Sequence, residues 1–201
     1  MPNPLHPADT NTSLWKQTTV LRNAQGEEEA ISVGPDGYVW SFIADSGDSR
    51  FDASGQRLEN LGMPADFVTV GRNAAGALVV IAAKGLHLQY RTETPLTALD
   101  IADGLSHRWT PAKPVQLPVI AGAVGVRRLY TQNDFSGMRI ALIVDTETAE
   151  HGSSYVMACS QWTENGPGPF ILLPPLGAKK ATPVQPAPSQ GVRMFRTAQA
   201  A

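Results

Sequence analysis

The chain has 201 residues, enough for one domain with tails and for a substantial buried core. Charged residues make up 17% and aromatics 7%, while 18 glycines and 16 prolines exceed the usual background, which favours turns and short strands over long helices. The single cysteine, Cys159, excludes an internal disulfide framework and a cysteine-built zinc cage, and no window approaches the roughly 20 apolar residues of a membrane helix.

The start, Met1-Pro2-Asn3-Pro4-Leu5-His6-Pro7, lacks the basic and then apolar order of a secretory leader, so a cytoplasmic chain with no membrane partner is expected. The net charge of -2 conceals an asymmetry: residues 1–175 carry a balance of -6, and residues 176–201, with Lys179, Lys180, Arg193, Arg196 and no acid, one of +4. Four charges so diluted make a weak footprint for nucleic acid; attraction between tail and body is the expected consequence.

In chain order, residues 1–13 are Pro- and Asn-rich without periodicity and read as an extended arm. Leu14 to Leu21 is rich in β-formers and closes at the turn Asn23 to Gly26; the acidic trio Glu27, Glu28 and Glu29 reads as a solvated patch. A strand from Ala30 to Val33, the turn Gly34-Pro35-Asp36-Gly37 and a strand bearing Tyr38, Trp40 and Phe42 form a β-hairpin, with a third strand expected at Ser49 to Asp52. Arg57 to Leu61 makes a fourth. A second copy is read at Phe67 to Gly71, Ala77 to Ala83 and Leu86 to Thr92; Ala77 to Ala83 is apolar throughout, as expected of a strand covered on both faces. Pro95 to Asp100 suits one helical turn. A third copy is read from Arg108 through Trp162, and the echo of Arg108-Trp109-Thr110 in Gln161-Trp162-Thr163 suggests the start of a fourth. The repeat domain spans 14–175, and the Pro/Ala-rich basic tail 176–201 reads as a linker. Its tip is different: Val192, Arg193, Met194, Phe195 and Arg196 alternate as a strand able to dock on a sheet edge, its own or a neighbour's.

Antiparallel repeats spaced about 40 to 50 residues apart are the mark of propeller blades. Ile31-Ser-Val-Gly-Pro-Asp-Gly-Tyr-Val-Trp40, with Arg50-Phe-Asp-Ala-Ser-Gly-Gln56, resembles the blade motif of tectonin-type propellers and of streptogramin-lyase and NHL-like propellers. The motif is degenerate at 67–80 and faint at 124–144, so the resemblance covers about half the chain. It implies a propeller-like all-β fold of antiparallel meanders. Three copies fall short of the four or more blades of a closed ring, which leaves completion by further chains in a homo-oligomer, or a two-sheet β-sandwich, as the alternatives. For the tectonin branch the resemblance implies recognition of a glycan or protein partner without catalysis; for the lyase branch, opening of a cyclic depsipeptide lactone by a histidine and a divalent cation.

No catalytic set is legible. His6, His87, His107 and His151 lack ligand spacing, Cys159 has no base beside it, and Asp45, Asp48 and Asp52 depart from the calcium-loop pattern, so no metal or cofactor is expected. The tryptophans Trp15, Trp40, Trp109 and Trp162 recur about once per unit and serve either packing between units or ligand stacking. Trp109 and Trp162, flanked by prolines and polar residues, lead the ligand candidates, followed by Trp40 and Tyr38. The expected function is a non-catalytic binding module working through loops and exposed aromatics; the alternative is a self-assembly component whose tail docks on a neighbouring subunit, and the third a lyase-like enzyme.

Overall fold

The computed structural model describes residues 15–24, 26–43, 57–102, 108–148 and 152–173. The chain is all-β, with a single short helix among these residues. Sheet A comprises β1 (Lys16–Arg22), β2 (Glu28–Val33), β3 (Tyr38–Ile43) and β4 (Arg57–Pro64). Sheet B comprises β5 (Phe67–Arg72), β6 (Leu78–Lys84), β7 (His87–Thr94) and, both beside β7, β8 (Arg108–Trp109) and β9 (Lys113–Val115). Sheet C comprises β10 (Ala123–Asp134), β11 (Gly137–Thr148), β12 (Gly152–Thr163) and, both beside β12, β13 (Gly166–Pro167) and β14 (Ile171–Leu173). Each sheet is an antiparallel meander in chain order, and among the described residues the sheets stack face to face without closing a barrel. The helix, α1 (Ala98–Ala102), follows Thr97, whose hydroxyl accepts the Asp100 amide while its own amide donates to the Asp100 carboxylate, a reciprocal capping box. No helix among the described residues is long and apolar enough to cross a membrane.

Strand β6 explains the layering. Its six residues from Leu78 to Ala83 are all buried, and two-residue alternation sends them into different cores. Val80 and Ala82 join Ile31, Val33, Val39, Leu61 and Met63 between sheets A and B. Val79, Ile81 and Ala83 join Val126, Leu129, Ile140, Leu142 and Val144 between sheets B and C. Sheet B is therefore the middle of three layers, where the sandwich alternative had two.

The first strands of the three sheets lie side by side and are joined by side chains rather than by ladders. The Gln17 carboxamide accepts the Val68 amide at 2.9 Å, and the Thr69 and Thr131 hydroxyls bond at 2.9 Å. Thr131 also donates to the Val70 carbonyl at 2.6 Å, and Asn133 exchanges two bonds with the Arg72 backbone. Gln17 stands in the left-handed region, φ 56°, at a register shift of β1, and that bulge turns its side chain toward β5. Gly71 permits the approach of sheet C: a Cβ there would collide with the Met138 thioether and come within 3.2 Å of Thr131 Cβ.

Three sequence expectations are corrected. Glu29 is not solvated: in β2 it shares the inward face of Ile31 and Val33, is fully buried, and accepts the Ser41 hydroxyl at 2.5 Å. Arg108 and Trp109 do not open a third unit; they pair with Glu93 and Thr94 and close sheet B. Trp162 likewise lies in β12, paired with Pro167 of β13, and β14 pairs with β12 in the same sheet, so no fourth unit starts there. The arm 1–13, the strand read at Ser49–Asp52 with its aspartates, His6, His107, His151 and the tail 176–201 lie outside the described residues.

Candidate functional site

The hairpin loop Gly34 to Tyr38 builds one wall of a cleft. Gly34 N donates to the Tyr38 carbonyl at 2.8 Å and Gly37 N to the Gly34 carbonyl at 2.9 Å; Gly37, at φ 76°, takes the left-handed position that ends such a three-residue loop. Trp40 folds back over the loop, its indole N–H reaching both Asp36 carboxylate oxygens at 3.1 Å. Gly34 makes room for it, since a Cβ there would come within 2.7 Å of the indole Cδ1.

The link between sheets A and B forms the opposite wall. Ala65 N donates to the Gly37 carbonyl at 2.8 Å and Asp66 N to the Ala83 carbonyl at 2.7 Å, tying the link to both sheets. Between these walls opens a cleft of about 490 Å³, with Val33, Pro35, Ala65 and Phe67 as apolar surface and Lys16, Asp66 and Lys84 as charged groups. Lys84 Nζ lies 2.6 Å from Asp66 Oδ1, and Gly85 N donates to Oδ2 at 3.3 Å. The hydrogen bond from Lys84 holds the Asp66 carboxyl below its ordinary range against the opposing effect of burial, with the Gly85 amide and the charges of Lys84 and Lys16 adding to it. Lys16, exposed at the start of β1, makes no ion pair among the described residues. At the corresponding junction between sheets B and C, Leu86, Leu117, Pro118, Val119, Ile120, Gly122 and Ala123 line a second cleft of about 360 Å³ without an ionisable side chain.

The aromatic candidates fall into three different sheets. Tyr38 is 41% exposed next to the cleft's hairpin wall. Trp40 is half-buried on the outer face of sheet A, edge-on to Trp15 at 6.3 Å, and Trp15 is in turn edge-on to Phe42 at 4.6 Å. Trp109 packs against the core between sheets A and B. Trp162 packs against the core between B and C, edge-on to Tyr90 at 4.9 Å. The tail candidates Val192, Arg193, Met194, Phe195 and Arg196 lie outside the described residues.

Sequence reasoning singled out none of Lys16, Asp66 and Lys84. They come from a strand start, an inter-sheet link and a strand end, and only the stacking of two sheets brings them together. Among the described residues no group of three or more His, Cys, Asp or Glu side chains is placed to hold a metal ion. His87 is exposed on β7, and Cys159 is half-buried on the outer face of sheet C. Compared with protein-family models and with curated proteins, the sequence matches none of them.

Proposed function

We propose that the chain is a non-catalytic binding module of propeller-like build, and that the cleft between sheets A and B receives an extended segment of a partner protein carrying a carboxylate beside an apolar side chain. The observation that carries this reading is the contrast between the two lysines. Lys84 is neutralised by Asp66 at 2.6 Å, whereas Lys16 has no ion-pair partner among the described residues and stands over an apolar surface. A carboxylate bonded to that ammonium, with an apolar neighbour beside Pro35 and Phe67, satisfies both parts of the lining. The volume lies in the range of roughly 300–1,000 Å³ typical of ligand sites. The propeller-like reading is supported by consecutive meander sheets with adjacent first strands, and by the blade motif at 31–40.

A glycan is the second reading, favoured by the exposed Tyr38 ring beside the cleft, on which a sugar face can stack. Peptide and glycan arrays probed with the wild-type chain, Lys16→Ala and Tyr38→Ala separate the two. The protein reading expects signals on acidic, apolar peptides that fall about tenfold with Lys16→Ala and weaken with salt. Glycan signals lost with Tyr38→Ala support the second reading. Array signals unchanged by Lys16→Ala end the first.

A further inference from the structure

The two ends of the three-layer stack differ. On the outer face of sheet A, Ala30, Ser32 and Phe42 are buried. The outer face of sheet C is open: the register aligns Asp145 with Tyr155, Ile143 with Met157 and then Leu173, and Ala141 with Cys159 and then Ile171. None of these eight side chains is buried. The last strand, β14, carries three consecutive exposed aliphatics, Ile171 at 65%, Leu172 at 45% and Leu173 at 37%, and among the described residues it pairs with β12 alone. An exposed aliphatic edge strand is an unstable surface to leave uncovered, and natural sheets pair or cover such edges.

Size decides what fits it. The apolar rows span three strands at about 4.8 Å and five residues at about 3.4 Å, a footprint on the order of 250 Å². A stable protein–protein contact takes roughly 800 Å² from each partner, so this patch suits a single strand rather than a second folded copy. The chain carries such a strand. Residues 174–201 continue directly from β14, and Gly191-Val-Arg-Met-Phe-Arg196 alternates Val192 and Met194 with Arg193 and Phe195. The 18 residues between Leu173 and Val192, five of them proline, extend at up to roughly 3.1 Å per residue, enough to bring the segment back beside β14. Such a tether holds the segment at an effective concentration on the order of millimolar, which favours its own sheet over a neighbour's at micromolar protein.

We propose that residues 191–196 return to their own sheet C, pair with the free edge of β14, and lay Val192 and Met194 on the outer face beside Ile171 and Leu173. The tail is then the last strand of the sheet, closing its aliphatic edge and flanking Ile171 and Leu173. This inference stands apart from the cleft between sheets A and B, and its test needs no ligand.

Hydrogen exchange by mass spectrometry on the full chain is the measurement, at protein concentrations of about 1 and 100 µM. Amides of 191–196 that face β14 are expected to exchange at least tenfold more slowly than in a free peptide of the same sequence, equally at both concentrations. In the full-length V192D/M194D variant that protection is lost, and the amides of Ile171 to Leu173 exchange faster as well. A circular dichroism spectrum that keeps the strand signal of the wild type certifies the rest of the chain. Exchange of 191–196 at the free-peptide rate overturns the proposal. So does protection that appears only at the higher concentration, which assigns the strand to a second copy.

Discussion

The Glu93 carboxylate is the polar link most exposed to a decisive test. It sits on β7 at 3% exposure, accepts the Leu78 amide at 3.0 Å within sheet B, and accepts the Ala24 amide at 3.1 Å from the first hairpin of sheet A. Hydrogen bonds to a charged group contribute about 1.5–3 kcal/mol each, and a buried donor left without a partner costs about 1–3 kcal/mol. Glu93→Ala strands the Leu78 amide, which has no access to water, whereas the Ala24 amide in an exposed loop recovers solvent. The expected loss is about 3 kcal/mol, a large part of the roughly 5–15 kcal/mol available to a domain. The inter-sheet bond can be removed by itself with Ala24→Pro, because Asn23 to Glu27 forms the same loop as Gly34 to Tyr38, in which Pro35 already occupies the matching place. Ala24→Pro should cost about 1.5–3 kcal/mol, and the double variant should lose less than the sum of the two singles by about the same amount. Urea unfolding followed by tryptophan fluorescence measures all three. A Glu93→Ala cost below about 0.5 kcal/mol, or strict additivity, would refute the role assigned to the carboxylate.

Ile81→Ala, at the centre of β6, should cost about 2–5 kcal/mol in the same assay, since its side chain has no exposure through which the site could refill. Gly71→Val should cost about 1–3 kcal/mol and be partly rescued by Met138→Ala, because the collision is with that thioether; an absence of rescue would place the strain elsewhere. The Asp66 carboxyl, titrated by NMR, should ionise below its ordinary value of 3.8. Its folded value being depressed, the stabilisation is present above the unfolded value and lost as pH falls through the folded one, so Asp66→Asn and the wild type should converge in stability at acid pH. With both side chains about half exposed, the difference at neutral pH should stay under about 1 kcal/mol. The Tyr90 phenol, pushed up by burial, should ionise above 10 in an absorbance titration, and a lower value would contradict its packing against Trp162.

Local signals in the sequence were reliable where the physics is local. The hairpin loop at Gly34 to Gly37 and the uninterrupted apolar run of β6 were legible, because turn glycines and two-sided burial both leave their mark within a few residues. The unit boundaries were misread by one strand. Ala30 to Val33 lies in the second strand of sheet A while Phe67 to Gly71 lies in the first strand of sheet B, so reading one as a copy of the other shifts the repeat. The informative signal is Arg22-Asn-Ala-Gln-Gly26 against Arg72-Asn-Ala-Ala-Gly76, 50 residues apart. Both follow a first strand, and in both Asn N donates to the carbonyl four residues on, with the turn glycine left-handed. The burial of Glu29 and the grouping of Lys16, Asp66 and Lys84 depend on how whole sheets stack, and no window of sequence contains that.

The double-sided strand also carries a hazard that depends on the order of synthesis. Leu78-Val-Val-Ile-Ala-Ala83 is six consecutive uncharged, apolar residues, the composition of a segment that self-associates as cross-β when left uncovered. Sheet A precedes it from the ribosome and can shelter Val80 and Ala82 at once. The row of Val79, Ile81 and Ala83 waits for β10 and β11, which end more than 60 residues later. During that interval Arg72 and Lys84, at the two ends of the β5–β6 hairpin, are the nearest charges that oppose its association with another chain. Shortening the chain before β11 would make that interval permanent, converting the best-protected strand of the fold into its most aggregation-prone one.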